Sequence, residues 1–290
     1  MSVRKVMKTV LSVEQAEGVG AQVRRSIGTN ELRNLDPFLM LDEFKVSKPA
    51  GFPDHPHRGF ETVTYVLAGV TAHEDFCGHS GRLQPGDLQW MTAGRGVVHA
   101  EMPVSEEPVV GLQLWVNLRR EEKMVEPAYQ ELKGSEIPKP SRGGVTAAVI
   151  SGEALGAKSK VFTRTPTLYL DFRLQTGSVH VQPVPSGWTA FIYTLSGSVH
   201  VGPDQQQQQV EPHHTVVFGD GDSVRFENKV RSFTRCLKTL PSTRLNPPKD
   251  FSIFHQPAAE RTLPVHSAAG TCDITSVQDG PALVRLCSET

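Results

Sequence analysis

Short apolar runs, separated by turn signals about every ten residues, dominate the first 135 residues. The clearest run has apolar residues at every second position, namely Leu112, Leu114, Val116 and Leu118. Gln113, Trp115 and Asn117 stand between them. A period of two puts successive side chains on opposite faces of a strand. Similar runs return at residues 145–150, 167–174, 190–195 and 215–218. The sequence therefore predicts an all-β protein.

A weak internal repeat divides these runs into two similar units. The pattern Val63-x-Tyr65-x-Leu67-x-Gly69 recurs 128 residues later as Phe191-x-Tyr193-x-Leu195-x-Gly197. Two β units of this size, each too small to bury both faces of a flat sheet, are expected to close as barrels or sandwiches. We predict a first barrel at residues 1–135 and a second at residues 136–230.

The segments outside these units have a different composition. Residues 119–142 are polar and contain Pro127, Pro138 and Pro140, which favours a linker with one helical turn. From Arg231 onward there are six prolines and neither sustained alternation nor a helical period. Residues 231–290 are therefore predicted to be an atypical, poorly ordered tail.

Charge and composition exclude several classes of protein. Lysine and arginine number 30 against 31 acidic residues, and this balance argues against strong direct nucleic-acid binding. No apolar stretch is long enough to span a membrane, and residues 1–12 are expected to form a strand and not a signal peptide. The four cysteines include no C-x-x-C pair, so a reducing compartment is expected.

The candidate site residues lie in two short stretches, His55-Pro56-His57 and His99-Ala100-Glu101. On an extended segment, residues i and i+2 project from one face, so each pair can reach one point. If the two segments share a barrel, three imidazoles and one carboxylate converge, which suits a divalent first-row metal with room for exogenous ligands. The alternative is that His99 and Glu101 only bond each other while the other two histidines lie in a surface loop. The turn Ala93-Gly94-Arg95-Gly96 favours the metal site, because glycines permit the turn that aims the next strand inward.

Other polar residues have competing interpretations. His73, Cys77 and His79 form a weak zinc pattern, and the alternative is a pair of loop histidines with a buried thiol. His213 and His214 are adjacent, which favours a role in a turn over metal binding. Glu61 follows His57 by four residues and is either a ligand or, as we expect, a carboxylate that orients an imidazole from outside the ligand set. Gln113 is expected either to line a cavity or to face solvent.

Two long motifs resemble a known family. Residues 51–63, GFPDHPHRGFETV, resemble the first signature of the pirin family of the cupin superfamily, and residues 92–101, TAGRGVVHAE, resemble the second. The resemblance runs from residue 4 to about residue 229, and Val230 to Thr290 match none of the family's C-terminal sequence. It implies a bicupin of two antiparallel barrels, and the departure after residue 229 leaves the closing strand of the second barrel unassigned.

The resemblance also implies a cofactor and a site. One iron ion, Fe(II) or Fe(III), is expected in the first barrel only, held by His55, His57, His99 and Glu101. The repeat agrees with this asymmetry, because Pro183 and Pro185 stand 128 residues after His55 and His57, and proline cannot bind a metal. Ligand type alone leaves manganese, nickel and copper open.

Two functions are implied by the family. One is quercetin 2,3-dioxygenase activity, in which dioxygen opens the flavonol ring and carbon monoxide is released, with Glu101 as the base for the 3-hydroxyl proton and Phe52 as an apolar wall. The other is redox-sensitive co-regulation of transcription with a Rel-type nuclear factor kappa B partner, in the nucleus and cytoplasm, by a monomer. Arg24, Arg25, Lys45 and Arg58 are candidates for a basic docking face or ordinary solvated charges. The alternatives are an inert, unstable isoform and a metal-binding interaction module without catalysis.

Overall fold

A computed structural model describes residues 1–18 and 20–229 together with a strand at Lys249–Pro257. All of these described residues belong to one compact unit. The described residues form twenty-four strands and two 3-10 helices, so the predicted all-β class is confirmed.

The first half contains twelve strands and one 3-10 helix, Arg120–Glu122. The strands are β1 (Val6–Leu11), β2 (Glu14–Glu17), β3 (Ala21–Ile27), β4 (Phe38–Val46), β5 (Phe52–His57), β6 (Phe60–Ala68), β7 (Thr71–Asp75), β8 (Ser80–Leu83), β9 (Leu88–Thr92), β10 (Val97–Pro103), β11 (Val109–Asn117) and β12 (Ala128–Leu132).

The second half contains the other twelve strands and the 3-10 helix Asp204–Gln206. The strands are β13 (Ser141–Arg142), β14 (Val145–Ser151), β15 (Glu153–Ala154), β16 (Ala157–Lys158), β17 (Leu168–Leu174), β18 (Val179–Pro183), β19 (Trp188–Thr194), β20 (Val199–Val201), β21 (Gln208–Val210), β22 (His214–Phe218), β23 (Ser223–Glu227) and β24 (Lys249–Pro257).

Among the described residues each half is built around one seven-stranded and one four-stranded sheet, and the second half also has the two-stranded sheet β15-β16. The first half has the orders β12-β9-β6-β11-β4-β3-β2 and β5-β10-β7-β8, and the second has β1-β22-β19-β24-β17-β14-β13 and β18-β23-β20-β21. The named strands pair antiparallel throughout these sheets. The predicted pair of antiparallel barrels is therefore observed, although β1 pairs with β22 of the second half.

Strand β24 bears on the closure of the second barrel. Its residues pair with β17 on one side, where Leu170 faces Ile253, and with β19 on the other, where Ile192 faces the same residue. A strand thus occupies the position where the sequence left closure in doubt. The rest of the predicted poorly ordered tail, residues 231–248 and 258–290, lies outside the described residues, and the domain boundaries stay predictions.

The internal repeat is visible in the packing between the two halves. Val63 and Tyr65 on β6, and Phe191 and Tyr193 on β19, all belong to one buried cluster that includes residues of both halves. Phe191 meets Phe38 edge to face, with ring centroids 5.0 Å apart. The repeated residues therefore build the contact between the barrels, where burial of apolar area stabilises the fold.

The two repeated tyrosines make reciprocal hydrogen bonds across this contact. Tyr65 Oη donates to Asp171 Oδ2 at 3.2 Å, and Tyr193 Oη donates to Glu43 Oε2 at 2.7 Å. A buried tyrosine hydroxyl needs such a partner, so the repeat fixes polar as well as apolar contacts.

The polar segment at residues 119–142 is more ordered than expected. It contains the helical turn Arg120–Glu122, but also strand β12, which pairs with β9 along its length. The prolines lie outside β12, so they leave its ladder intact. The prediction of a plain linker is wrong for this segment. Both 3-10 helices of the described residues are far too short to cross a membrane.

Candidate metal centre and cavity

Pairing of β5 with β10 brings the two histidine motifs together. The register places His99 opposite His55 and Val97 opposite His57, and a shift between His99 and Glu101 brings Glu101 opposite Phe52. Opposed residues of an antiparallel pair share a face, as do residues i and i+2 along each strand. The local sequence therefore places all four predicted site residues on one face.

The turn before β10 depends on glycine. Gly94 has a φ of +50°, and a Cβ there would lie 2.1 Å from the Val125 carbonyl oxygen. Its own carbonyl accepts a hydrogen bond from the Gly59 amide at 2.7 Å, which joins the start of β10 to the end of β5. The glycine-rich turn thus has the role that the sequence predicted for it.

Three imidazoles converge at the centre of this face. The ring centroids of His55, His57 and His99 lie 4.5 to 5.0 Å apart, and one ring nitrogen of each lies within 4.8 Å of the others. His57 and His99 are buried, and neither nitrogen of either ring has a hydrogen-bond partner among the described residues. Buried polar atoms without partners are costly unless something else satisfies them. This cluster fits a metal ion.

The electrostatics keep these rings neutral and able to ligate. Burial, followed by the neighbouring His55, lowers the pKa of His57 to about 4. Burial and the adjacent histidines lower the pKa of His99 to about 3. His55 Nδ1 lies 2.8 Å from the Pro53 carbonyl oxygen, so a proton on Nδ1 leaves Nε2 free for a metal.

Glu101 completes the set from beside the imidazoles. Its Oε2 lies 4.0 Å from His99 Nε2, and burial raises the pKa of the carboxyl. Thr64 Oγ1 lies 3.2 Å from Glu101 Oε1 and 2.7 Å from Gln113 Oε1, so its one proton serves either oxygen. The sequence did not single out Thr64, because its neighbours on β6 carry the apolar repeat pattern, which indicates packing.

A cavity of about 890 Å³ opens onto this face. His55, His57 and Glu101 line it together with apolar walls, and Gln113 and Phe52 face it as the sequence indicated. The apolar walls are formed by Met40, Phe44, Val46, Phe52 and Trp115. A concave, largely apolar site with a few convergent polar groups is typical of small-molecule binding.

An ion pair closes one side of the cavity. Arg25 donates from Nε to Asp42 Oδ1 at 3.0 Å and from Nη2 to Asp42 Oδ2 at 2.8 Å, and also contacts Glu17. Arg24 pairs with Glu14 at 2.9 Å. The expected basic face is thus reduced, because the charges of two of its four members are matched by carboxylates. Lys45 and Arg58 are exposed.

Glu61 does not orient an imidazole, so that prediction is wrong. Its Oε1 accepts a hydrogen bond from Thr92 Oγ1 at 2.7 Å, because β6 and β9 place the two residues opposite each other. Glu61 is fully buried, and within the described part of the chain its Oε2 has no hydrogen-bond partner. Burial raises the pKa of this carboxyl from 4.5 to about 7.

Glu61→Gln is expected to remove a pH-dependent loss of stability. The carboxyl binds a proton more tightly in the folded than in the unfolded chain, so its contribution is present below pH 4.5 and is lost as the pH rises through 7. The shift corresponds to about 3 kcal/mol. Urea unfolding at pH 5 and pH 8.5 should show a flatter dependence in Glu61→Gln than in the wild type, with the exposed Glu107→Gln as control. An unchanged pH dependence in Glu61→Gln would contradict this assignment.

A second group of ligand-type residues lies at β7, β8 and β12. Ring nitrogens of His73 and His79 and a carboxylate oxygen of Glu131 lie within 4.8 Å of one another. Cys77 is exposed and stands outside this group, so the predicted buried thiol is wrong. Glu131 was missed because its segment was interpreted as a linker. His213 has a φ of +61° in the turn before β22, consistent with a role in that turn.

The corresponding place in the second barrel has a different character. Pro183 ends β18, and His180 on that strand packs between Phe172 and Phe226, with ring centroids 5.2 Å away in each case. Among the described residues, both groups of three potential metal ligands lie in the first half.

Two barrels in one chain, one of which carries a histidine cluster on the inner face of a small sheet, define a bicupin. The family model for pirin matches residues 20–116, and the model for the pirin C-terminal cupin domain matches residues 169–237. The chain is 72% identical to human pirin over 229 residues, which is 79% of each chain. The chain belongs to the pirin family.

Solved structures agree with the fold. GK1651 from Geobacillus kaustophilus is 30% identical with a TM-score of 0.76, covering 90% of this chain and all of that one. Quercetin 2,3-dioxygenase from Acinetobacter baumannii is 27% identical with a TM-score of 0.73, covering 89% of this chain and 88% of that one.

Proposed function

We propose that this chain is an iron-dependent dioxygenase that opens flavonols such as quercetin, with one ion held by His55, His57, His99 and Glu101. The observation that carries the proposal is the convergence of three imidazoles and a buried carboxylate at the wall of a cavity of about 890 Å³. The likeness to a quercetin 2,3-dioxygenase structure supports the same chemistry.

The donor set suits a redox-active ion with open positions. Three neutral imidazoles and one carboxylate would hold a divalent first-row metal, whereas closed structural zinc sites commonly include thiolates. When bound, iron would supply Lewis-acid and one-electron chemistry toward the flavonol and dioxygen.

The protein groups supply proton transfer and orientation. The Glu101 carboxylate is the base within the site for the proton of the flavonol 3-hydroxyl, since it lines the cavity beside the imidazoles. The Thr64 hydroxyl steadies Glu101 Oε1 or Gln113 Oε1, and Gln113 offers a hydrogen bond inside the cavity. Glu101 and Gln113 would contact the substrate, and Thr64 would orient one of these two side chains.

The cavity suits a flat aromatic substrate. Phe44 and Phe52 meet edge to face at 6.1 Å, and Trp115 lies beside His57 at 5.2 Å between ring centroids. These rings form apolar walls on which polyphenol rings can pack, and they exclude water from the reacting centre. The Arg25–Asp42 pair offers the polar edge that a hydroxylated ring needs.

Replacing the base gives a direct test of the reaction. Glu101→Gln is expected to lower quercetin-dependent oxygen uptake and carbon monoxide release by about 100-fold or more in iron-loaded protein, because a neutral amide cannot accept the proton. Glu101→Asp keeps a carboxylate and should retain part of the activity, and Glu107→Gln should retain all of it. Undiminished turnover by Glu101→Gln with full iron occupancy would refute the assignment.

A second proposed function is redox-sensitive co-regulation of a Rel-type transcription factor, in the nucleus and cytoplasm. The supporting observation is that buried His57 is followed directly by exposed Arg58, so the segment that carries a proposed iron ligand reaches the protein surface. Oxidation of bound iron adds one positive charge beneath that surface, and a change of charge there alters affinity for an acidic partner.

Arg58 is the residue that separates this function from catalysis. Arg58→Glu is expected to abolish the difference in partner binding between the Fe(II) and Fe(III) forms while leaving quercetin turnover unchanged. Binding of a purified Rel-type protein to each redox form measures this. Redox dependence that survives Arg58→Glu would rule out this surface.

The alternative to both proposed functions is that the chain is an inert, unstable isoform. It predicts no cooperative thermal transition with or without iron, whereas the proposed function predicts a cooperative transition that iron moves to higher temperature.

A further inference from the structure

The group formed by His73, His79 and Glu131 stands apart from the proposed iron ligands. His73 Nε2 lies 2.8 Å and His79 Nε2 lies 3.1 Å from the same oxygen, Glu131 Oε1. His73 is buried, with 4% of its surface exposed, and its Nε2 approaches the carboxylate without the alignment of a hydrogen bond. A buried imidazole nitrogen aimed at a carboxylate in this way is available to a cation.

The surrounding residues hold the ligands in place. Asp75 Oδ1 accepts hydrogen bonds from the backbone amides of Cys77 and His79, both at 2.9 Å, which fixes the loop that carries His79. Tyr129 donates to Asp75 Oδ2 at 2.8 Å, and its ring stacks on the His79 ring at 4.0 Å between centroids. Supporting contacts of this kind orient the ligands of metal sites.

The carboxylate is oriented from a third strand. Gln89 Nε2 on β9 donates to Glu131 Oε1 at 2.9 Å, and β9 and β12 place Gln89 and Glu131 opposite each other. The three ligands therefore come from three different segments, β7, the loop before β8, and β12. A site assembled across segments ties the β7–β8 hairpin to the neighbouring sheet.

Gly81 leaves the space beside the ligands. It pairs with His73 across β7 and β8, and a Cβ built on it would lie 2.6 Å from His73 Nε2 and 3.3 Å from Glu131 Oε2. Any side chain at position 81 would therefore occupy the volume into which both ligands point.

The spacing fits a tetrahedral cation. Ligands about 2.0–2.1 Å from a zinc ion are about 3.3 Å from one another. The contacts of His73 and His79 with Glu131 Oε1, at 2.8 and 3.1 Å, are near that spacing, and one ring nitrogen of each histidine lies within 4.8 Å of the other. Two imidazoles and one glutamate with a fourth position open to solvent are a known zinc donor set, and His79 is partly exposed on that side.

We propose that His73, His79 and Glu131 bind a second divalent cation of the zinc class at the rim of the first barrel. Glu101 and His73 are neighbours in the β10–β7 register, yet the second site shares no ligand with the proposed iron centre. The proposal therefore stands whether or not the chain oxidises flavonols.

Zinc binding to the full chain tests the proposal. We expect equilibrium dialysis of iron-loaded protein against Zn²⁺, with elemental analysis of both metals, to show one bound zinc per chain. The His99→Ala variant, which lacks a ligand of the first site, should still bind this zinc. Its affinity should fall by at least about 10-fold in Glu131→Gln, in the partly exposed His79→Gln, and in Gly81→Ala, which removes no ligand. Glu107→Gln and His214→Gln serve as matched controls and should keep it.

Two results would overturn the proposal. One is the absence of any zinc beyond the first site in the wild type. The other is zinc retained with unchanged affinity by Glu131→Gln and His79→Gln, since that zinc would be bound elsewhere in the chain. Circular dichroism and thermal unfolding of each variant distinguish lost ligation from lost folding.

Discussion

His99→Ala is expected to eliminate stable iron binding and to lower quercetin-dependent oxygen uptake by more than about 100-fold, since mutation even of groups that only support a ligand costs 10–100-fold. His99 is central to the cluster, because its ring lies 4.5 Å from that of His55 and 5.0 Å from that of His57. Removing it leaves two imidazoles and the Glu101 carboxylate, whose Oε2 lies 4.0 Å from His99 Nε2 in the wild type. Metal analysis and oxygen electrode measurements on purified protein check both parts.

The control is a histidine away from the cluster. His214→Ala removes an imidazole at the start of β22, where its Nδ1 contacts only the Glu211 and Pro212 carbonyl oxygens, and should leave iron content and activity unchanged. Full iron occupancy in His99→Ala would contradict the assignment of the metal centre, whatever the activity.

Phe191→Ala is expected to destabilise the fold by about 3–5 kcal/mol. Phe191 is fully buried between the two halves and packs edge to face on Phe38, so truncation removes apolar contact and leaves a cavity that both barrels line. Chemical denaturation measures the loss, and both barrels should unfold together at a lower denaturant concentration.

Phe162→Ala is the matched control, because its ring is 66% exposed and its backbone bonds to Gln130 remain. It should change stability by less than about 0.5 kcal/mol. A Phe191→Ala variant as stable as Phe162→Ala would show that the two halves do not rely on this contact.

The convergence of the histidines was predictable because much of its information is local. The i, i+2 spacing of His55 with His57 and of His99 with Glu101 fixes which face each pair occupies, and Gly94 marks the turn that precedes the second pair. The sequence motifs resembling pirin supplied the pairing of these two stretches, which spacing alone left open. The repeated Tyr65 and Tyr193 likewise predicted two units, although only the structure shows that they bond across the contact between them.

The predictions failed where a residue's contacts depend on pairing with a strand that is distant in the sequence. Glu61 follows His57 by four residues and was assigned to the metal centre, but the pairing of β6 with β9 gives it Thr92 as its partner. Glu131 lies 52 residues from His79 in a proline-flanked segment, so no local pattern joined them. Arg25 looked like a free surface charge until Asp42 came opposite it on β4.

X-ray absorption at the iron edge of the loaded protein tests the central claim most directly. We expect the spectrum to report one mononuclear iron per chain with three imidazole nitrogens and a carboxylate oxygen, and to lose one imidazole in His57→Gln. A wild-type spectrum with fewer than three imidazoles, or one unaltered by His57→Gln, would contradict the coordination of a single iron ion by these four side chains.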